Sequence, residues 1–452
     1  MPSFVAFILC LAFVIVILRY DGKKNPGSSL TLWAPLVWLI IVATRNPSQW
    51  LVNLQTGRQP AEQFTNYMQG NPVDRTVFLL LIVLGIFILV KRRLNWFAIL
   101  RQNWVIILFL AFCGLSIMWS DFAAVAFKRW VKGLGDYVMA LVVLTEPLPA
   151  EAVKTIIRKC AIILVPFSIL LIRYYPYGRI FTPWGEGEYV GVATSKNTLG
   201  TLLLVFGFYL AWSLLTKQQK KEGSYDRKEL YGYLFYLFLI VMLFKYAPSM
   251  TAILCLTMGT ALLWVMKSKV VRENAKYFTY IFLYCILILI MVQMVVDMIP
   301  GLLTAFGRDV TLTGRIPLWE YLLDLDLNTW FGAGYETFWL GDRLQDIWEM
   351  HWWMPNQAHN GFLETYLNLG RIGLFLNVGI LFVAYRKALK GLEEDYDFAV
   401  FSMTMLFIIV IYNQFEAAFK ALHILWFSLL LLSIKYKDYS SKPLISYKQE
   451  KG

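Results

Sequence analysis

The sequence predicts an all-α polytopic membrane protein of about 12–13 transmembrane helices, gathered around one large external (periplasmic) loop. Three observations lead there. Of its 452 residues, 58% are hydrophobic and only 16% charged, with a mean hydropathy of +0.55, a balance far from that of soluble domains. Apolar runs long enough to cross a hydrocarbon core about 30 Å thick recur from one end to the other. The loops between them alternate in basic content, as orientation in a membrane requires.

The spans fall at 4–18, 30–44, 76–90, 104–119, 134–145, 153–172, 190–215, 229–245, 249–266, 276–298, 360–385, 398–413 and 419–434. The shortest, 134–145, reaches bilayer length only if the amphipathic stretch from Phe122 joins it. The first reads as a retained span, because it lacks a basic start and a small-residue cleavage site. Basic loops at Arg19-Lys23-Lys24, Lys91-Arg92-Arg93, Lys217 to Lys228, Lys267 to Lys276 and Arg386-Lys387-Lys390 share one side with the C-terminal tail, and the positive-inside rule makes that side cytoplasmic. The net charge of +12 therefore reports orientation, and no basic stripe with interleaved aromatics points to nucleic acid. Cys10, Cys113, Cys160, Cys255 and Cys285 all lie inside apolar runs without paired spacing, which argues against a zinc site or a disulfide framework.

This parse divides the chain into ten spans with short loops (1–299), a large external loop (300–358), three last spans (359–435) and a basic cytoplasmic tail (436–452). The cytoplasmic loops hold neither a glycine-rich phosphate loop nor room for a nucleotide-binding fold. No repeat of fixed period, and no matched Pro/Gly interruptions in two halves, favours an inverted-repeat transporter. The chemistry is expected on the external side, where 300–358 is the longest polar stretch.

Three external clusters carry candidate groups. The first runs from Tyr174-Tyr175-Pro176-Tyr177-Gly178-Arg179 to Thr194-Ser195-Lys196-Asn197; the second from Arg308 to Trp319; the third is Gln357-Ala358-His359-Asn360-Gly361. Between the last two lie Trp330, Tyr335, Trp339, Trp348, Trp352 and Trp353. With Trp319 and Tyr335 such rings suit the apolar faces of sugars, although interfacial anchoring explains any single one. His359 stands where the loop enters a span, and the positive end of the helix dipole there favours a neutral ring able to take a proton. His351 and His423 read as structural. Arg179, Arg308, Arg315 and Arg371 are costly beside lipid, and a guanidinium fork suits phosphate or pyrophosphate. On a continuous helix Asn360, Glu364 and Arg371 share one face, with Arg371 about 18 Å along the axis from His359. Asp324-Leu325-Asp326 has the look of a metal-binding acidic pair but falls in an amphipathic helical run, so no metal site is assigned.

Taken together, Thr313-Gly314-Arg315-Ile316-Pro317-Leu318-Trp319, Trp330-Phe331-Gly332-Ala333-Gly334-Tyr335-Glu336-Thr337-Phe338-Trp339, His359-Asn360-Gly361-Phe362-Leu363-Glu364 and Leu369-Gly370-Arg371-Ile372-Gly373-Leu374 resemble the O-antigen ligase and polymerase superfamily. Ser195-Lys196-Asn197-Thr198-Leu199-Gly200 is similar to the upstream motif of its exopolysaccharide polymerase branch, and Trp119-Ser120-Asp121 is also family-like. The resemblance implies a GT-C-type membrane glycosyltransferase of the bacterial inner membrane. It implies transfer of a glycan from an undecaprenyl-pyrophosphate donor to an acceptor sugar hydroxyl, with inversion and without metal or other cofactor. His359, Arg315 and Arg179 would be catalytic; Lys196, Asn197, Arg308, Trp319, Tyr335, Asn360, Glu364 and Arg371 would bind substrate. Membrane lipid and polysaccharide export or flippase machinery are the implied neighbours. Where many relatives carry an arginine between two serines, this chain reads Ala247-Pro248-Ser249-Met250-Thr251, leaving Lys245 or Arg308 to supply the charge. A ligase acting on lipid A core is the nearest alternative, and a polysaccharide-lipid transporter the alternative of a different class.

Overall fold

The computed structural model describes residues 1–25, 29–53, 70–181, 187–219, 227–274, 277, 284 and 315–436. The chain is an all-α polytopic membrane protein. Its span-like helices are α1 (Ser3–Lys24), α2 (Trp33–Ala43), α3 (Pro72–Lys91), α4 (Trp104–Leu115), α5 (Ala123–Leu144), α6 (Pro149–Tyr174), α7 (Lys196–Gln219), α8 (Arg227–Tyr246) and α9 (Met250–Met266). After them come two shorter helices, α10 (Arg315–Asp324) and α11 (Asp342–Met350), and then α12 (Gly361–Glu394), α13 (Tyr396–Phe415) and α14 (Ile424–Ser433). The sheet content among the described residues is one two-stranded hairpin, with β1 (Arg179–Phe181) antiparallel to β2 (Gly187–Tyr189).

Among the described residues, seven helices are long and apolar enough to cross a membrane on their own: α1, α3, α6, α7, α8, α12 and α13. An eighth unit is α4 with the short helix Trp96–Gln102 before it, bent by 87°. Leu30–Ala43, Met250–Met266 and Ile424–Ser433 are apolar but shorter. The charged residues of α5, Lys128, Arg129, Lys132 and Asp136, explain why this helix looked weakest by hydropathy. In the fold Asp136 is buried and satisfied, accepting from Trp38 Nε1 at 2.8 Å and from the Leu422 N–H at 2.9 Å. Every sequence-derived span thus has a helix except 276–298, of which only Tyr277 and Tyr284 are described; the tail beyond 436 and positions 300–314 of the large loop lie outside the described residues.

Polar contacts sort the helix termini into two ends. At one end Arg92 pairs with Glu146, Arg158 with Asp21 at 2.6 Å, Lys24 with Glu229, and Lys267 with Asp397 at 2.6 Å. These join the C-termini of α1, α3, α5 and α9 to the N-termini of α6, α8 and α13, which is the up-and-down order that the alternating loops imply. The other end carries the C-terminus of α13, the N-termini of α7, α12 and α14, and the loop containing α10 and α11. Between the ends lies one continuous apolar core, in which α12 packs on α13 and α4, α7 on α9, and α3 on α5. A second, smaller core under the loop gathers Leu318, Leu322, Phe338, Trp339, Leu344 and Ile347. The loop is therefore a folded cap with its own buried side chains.

Candidate active site

The motif His359-Asn360-Gly361 works as a positioning device. Asn360 is the N-cap of α12, its Oδ1 accepting the N–H groups of Phe362 at 3.0 Å and Leu363 at 3.1 Å. Gly361 lets the helix start press against α13: a Cβ there would stand 1.9 Å from Asn413 Oδ1. Asn413 is fully buried, donating to the Ile409 carbonyl and accepting from the Ala418 N–H, so it fixes the turn that follows α13. That turn presents Glu416, whose Oε2 lies 3.0 Å from His359 Nδ1. Just upstream, both polar groups of Ala358 are held: its N–H donates to Glu364 Oε2 at 2.8 Å and its carbonyl accepts from Trp319 Nε1 at 2.6 Å. His359 itself adopts φ +50°, a left-handed conformation uncommon outside glycine.

Glu416 is the hub of the site. Its Oε1 accepts from Asn197 Nδ2 at 3.0 Å and pairs with Arg315 at 3.1 Å, while Arg315 also donates to the Phe415 carbonyl at 2.5 Å. On the other oxygen it meets His359, with the Gln357 amide 3.5 Å away. Trp353 leans against the imidazole, ring centroids 5.7 Å apart. The Glu416 side chain is 6% exposed. Burial alone would raise its carboxyl pKa, but the hydrogen bond and charge of His359, followed by the charge of Arg315, hold it below the ordinary range. An ionised carboxylate only accepts, so His359 Nδ1 must carry a hydrogen toward it, which makes Nε2 the nitrogen through which the ring can exchange a proton. Arg315 spends two of its five N–H donors on this arrangement.

His359, Arg315 and Asn197, read from three distant motifs, thus converge on one carboxylate. The other sequence-derived residues are placed differently. Arg179 donates to the Ile172 carbonyl at 3.1 and 3.2 Å and lies over the Tyr189 ring, and Lys196 pairs with Glu188 at 2.6 Å. Both belong to the hairpin side of the α7 N-terminus. Arg308 lies outside the described residues. Trp319, Asn360 and Glu364 use their polar atoms to hold the segment around His359. Tyr335 donates its N–H to Ser116 Oγ at 3.0 Å. Lys245, considered as a replacement cation, is exposed near the C-terminus of α8. Among the described residues no group of three or more His, Cys, Asp and Glu side chains is arranged to hold a metal ion.

The shared helical face of Asn360, Glu364 and Arg371 needs correction. Gly370 has φ +64° and breaks α12, so the helix is not continuous to Arg371. The break frees helix groups of both kinds for the loop: the Leu367 and Asn368 carbonyls accept from Ala333 N–H at 3.0 Å and Gly334 N–H at 2.8 Å, and the Arg371 N–H donates to Thr329 O at 2.9 Å. Arg371 is exposed over the Trp330 ring, 5.4 Å from its centroid. The polar ladder instead runs from Glu364 to Trp339 Nε1 at 2.8 Å and Asn368 Nδ2 at 3.1 Å. Trp119-Ser120-Asp121 closes the same assembly, with Trp119 donating to Phe331 O, Ser120 meeting Thr337, and Asp121 pairing with Arg343.

Two residues central to this geometry carried no motif. Glu416 is an acid in the short hairpin between two strongly apolar spans, and that isolation was its only signal. Arg45 donates to the carbonyls of Tyr177, Gly191 and Ala193, fixing the segment that leads to Asn197.

Comparison with known proteins agrees with the motifs. The family described as O-antigen ligase matches residues 232–378, a range that includes Arg315, His359 and the Gly370 break. The exopolysaccharide production protein ExoQ of Rhizobium meliloti is 26% identical over 303 residues, which cover 64% of this chain and 66% of that protein. Over that range the chain is similar to the O-antigen ligase family, and over a longer stretch to a protein named for exopolysaccharide production. Asn197 and Glu416 fall outside the matched family range, so their meeting with Arg315 and His359 comes from the fold.

Proposed function

We propose that this protein is a member of the O-antigen ligase and polymerase superfamily and an inverting glycosyltransferase that moves a glycan from an undecaprenyl-pyrophosphate donor to an acceptor sugar hydroxyl on the external face of the inner membrane. The observation that carries the reading is the buried Glu416 carboxylate, with His359 on one oxygen and Arg315 on the other. In the reaction His359 Nε2 takes the acceptor hydroxyl proton. The acceptor oxygen forms the new bond to the anomeric carbon as the bond from that carbon to the pyrophosphate oxygen breaks, and the leaving group departs with the electron pair. The remaining donors of Arg315, joined by Arg179 or Lys196 from the neighbouring hairpin, answer the charge that develops there. Glu416 holds the imidazole tautomer and stabilises the imidazolium that forms. No metal enters the steps so written.

The external placement rests on the separation of basic loops from the site, and with it the periplasmic position of 300–358 and the cytoplasmic tail. A donor already carried in lipid suits a chain whose cytoplasmic loops are short. The relative named for exopolysaccharide production favours polymerisation of repeat units over ligation to lipid A core. Purified protein supplied with lipid-linked repeat units tests this directly. Chain growth supports polymerisation; transfer only to lipid A core makes it a ligase; movement across the bilayer without new glycosidic bonds makes it a transporter and overturns the proposal.

A further inference from the structure

Helix α5 carries polar groups that the proposed reaction does not use. Arg129, Gly133 and Asp136 stand at i, i+4 and i+7, on one helical face, and that face meets both the cap and the hairpin that joins α13 to α14. The Arg129 guanidinium donates to the Glu336 carbonyl of the cap. At Gly133 a Cβ would stand 2.8 Å from the Tyr335 hydroxyl and 3.3 Å from the Ala421 methyl, so the close approach needs a glycine. Asp136, fully buried, accepts with Oδ2 from the Leu422 N–H at 2.9 Å and with Oδ1 from Trp38 Nε1 at 2.8 Å. The preceding N–H of the hairpin, that of Ala421, donates to Glu336 Oε1 at 2.9 Å. Two carboxylates from different elements thus take two successive backbone donors.

Those donors lie at the far end of the hairpin that begins with Glu416. The hairpin draws its shape from side chains: Asn413 Oδ1 takes the Ala418 N–H at 2.9 Å near its start, and Glu336 and Asp136 take those of Ala421 and Leu422. Leu422 holds φ +57°, a conformation that a bulky residue keeps only where its surroundings impose it. A carboxylate acceptor makes a stronger bond to such an N–H than a neutral one does, and a buried N–H left without an acceptor is costly. The grip at Ala421 and Leu422 therefore fixes where the other end of the hairpin can stand.

We infer that Asp136 and Glu336 are positioning residues: by gripping the Ala421 and Leu422 N–H groups they hold the hairpin so that Glu416 reaches His359 Nδ1 and Arg315 together. They act through Glu416 and not on the reacting atoms. The inference rests on the proposed roles of His359 and Glu416 and adds what keeps the two in register.

The chain has three histidines, so NMR of the full chain in nanodiscs with isotope-labelled histidine resolves each ring, and His359→Ala assigns the signal. Wild type is expected to show a His359 Nδ1–H bonded to a carboxylate. Asp136→Asn offers one acceptor oxygen to two donors, Trp38 and Leu422, so its amide nitrogen faces one of them. The His359 signal then moves toward that of Glu416→Gln. With lipid-linked repeat units kcat falls about tenfold or more, while the donor KM changes less than about threefold. Glu336→Ala, which leaves the Ala421 N–H without its acceptor, moves the same signal. Trp38→Phe/Asp136→Asn removes the competing donor and returns both signal and kcat to the level of Trp38→Phe alone. Added to Glu416→Gln, Asp136→Asn costs less than about threefold further, because residues that act as one unit are not additive. An unmoved His359 signal in Asp136→Asn and Glu336→Ala, no recovery in Trp38→Phe/Asp136→Asn, or losses that multiply with Glu416→Gln overturns the positioning role. If the signal behaves as expected and wild type forms no glycosidic bond, the glycosyltransferase reading falls while the grip on Glu416 stands, so the two failures are distinguishable.

Discussion

The carboxylate of Glu416 meets Asn197, Arg315, Gln357 and His359, side chains from three distant segments of the chain. Removing its charge while keeping its shape isolates that role. Glu416→Gln lowers kcat by about 10²-fold or more with little change in donor affinity, since loss of the carboxylate partner of a catalytic imidazole costs up to ~10⁴ in comparable sites; kinetics over a range of donor concentrations read the split. The same carboxyl sets an acid limit on stability. Its folded-state pKa lies below the ordinary value of 4.5, so the group stabilises the fold fully above that pH, and the contribution is lost as pH falls through the depressed value. Thermal unfolding in detergent at pH 7 and below 4.5 should show a smaller acid-induced fall for Glu416→Gln than for wild type. At this scale the sequence was partly legible. His359, Arg315 and Asn197 stood in recognisable motifs; Glu416 did not, because a single acid between two spans has no spacing to read until the fold brings partners to it.

Helix α12 shows why local pattern alone was insufficient. Its 3.6-residue periodicity carried Asn360, Glu364 and Arg371 onto one face, but periodicity assumes unbroken hydrogen bonding, and Gly370 interrupts it so that the loop can dock on freed carbonyls. The glycine was visible in Leu369-Gly370-Arg371; its φ of +64° and its close approach to the Trp330–Phe331 backbone, which a Cβ would prevent, were not. Gly361 has a simpler reason, its approach to Asn413. Gly361→Ala forces the start of α12 away from α13, costing about 1–3 kcal/mol of stability. A shift of about 1 Å at His359 is also expected to reduce turnover roughly 10²-fold. Unchanged melting temperature and activity in Gly361→Ala would contradict the packing described here.

Among the described residues the apolar runs read from the sequence coincide with helices, seven of them long enough to span on their own, since a membrane leaves few ways to satisfy the backbone. The span at 134–145 was hardest to read because α5 buries Asp136 against Trp38 and Leu422, a charge that sequence scores as unfavourable and structure satisfies. The ion pairs at one end and the Glu416 cluster at the other assign opposite sides to the basic loops and the site. A cysteine probe beside Trp348 is therefore expected to react with impermeant reagent from outside, and a reporter fused after Lys437 to remain cytoplasmic; the reverse labelling would invert the orientation. One comparison tests the proposed role of the Glu416 cluster most directly. With purified protein and lipid-linked repeat units, His359→Ala should lose at least about 10²-fold in turnover while still binding the donor. Wild-type turnover in that variant would contradict the account.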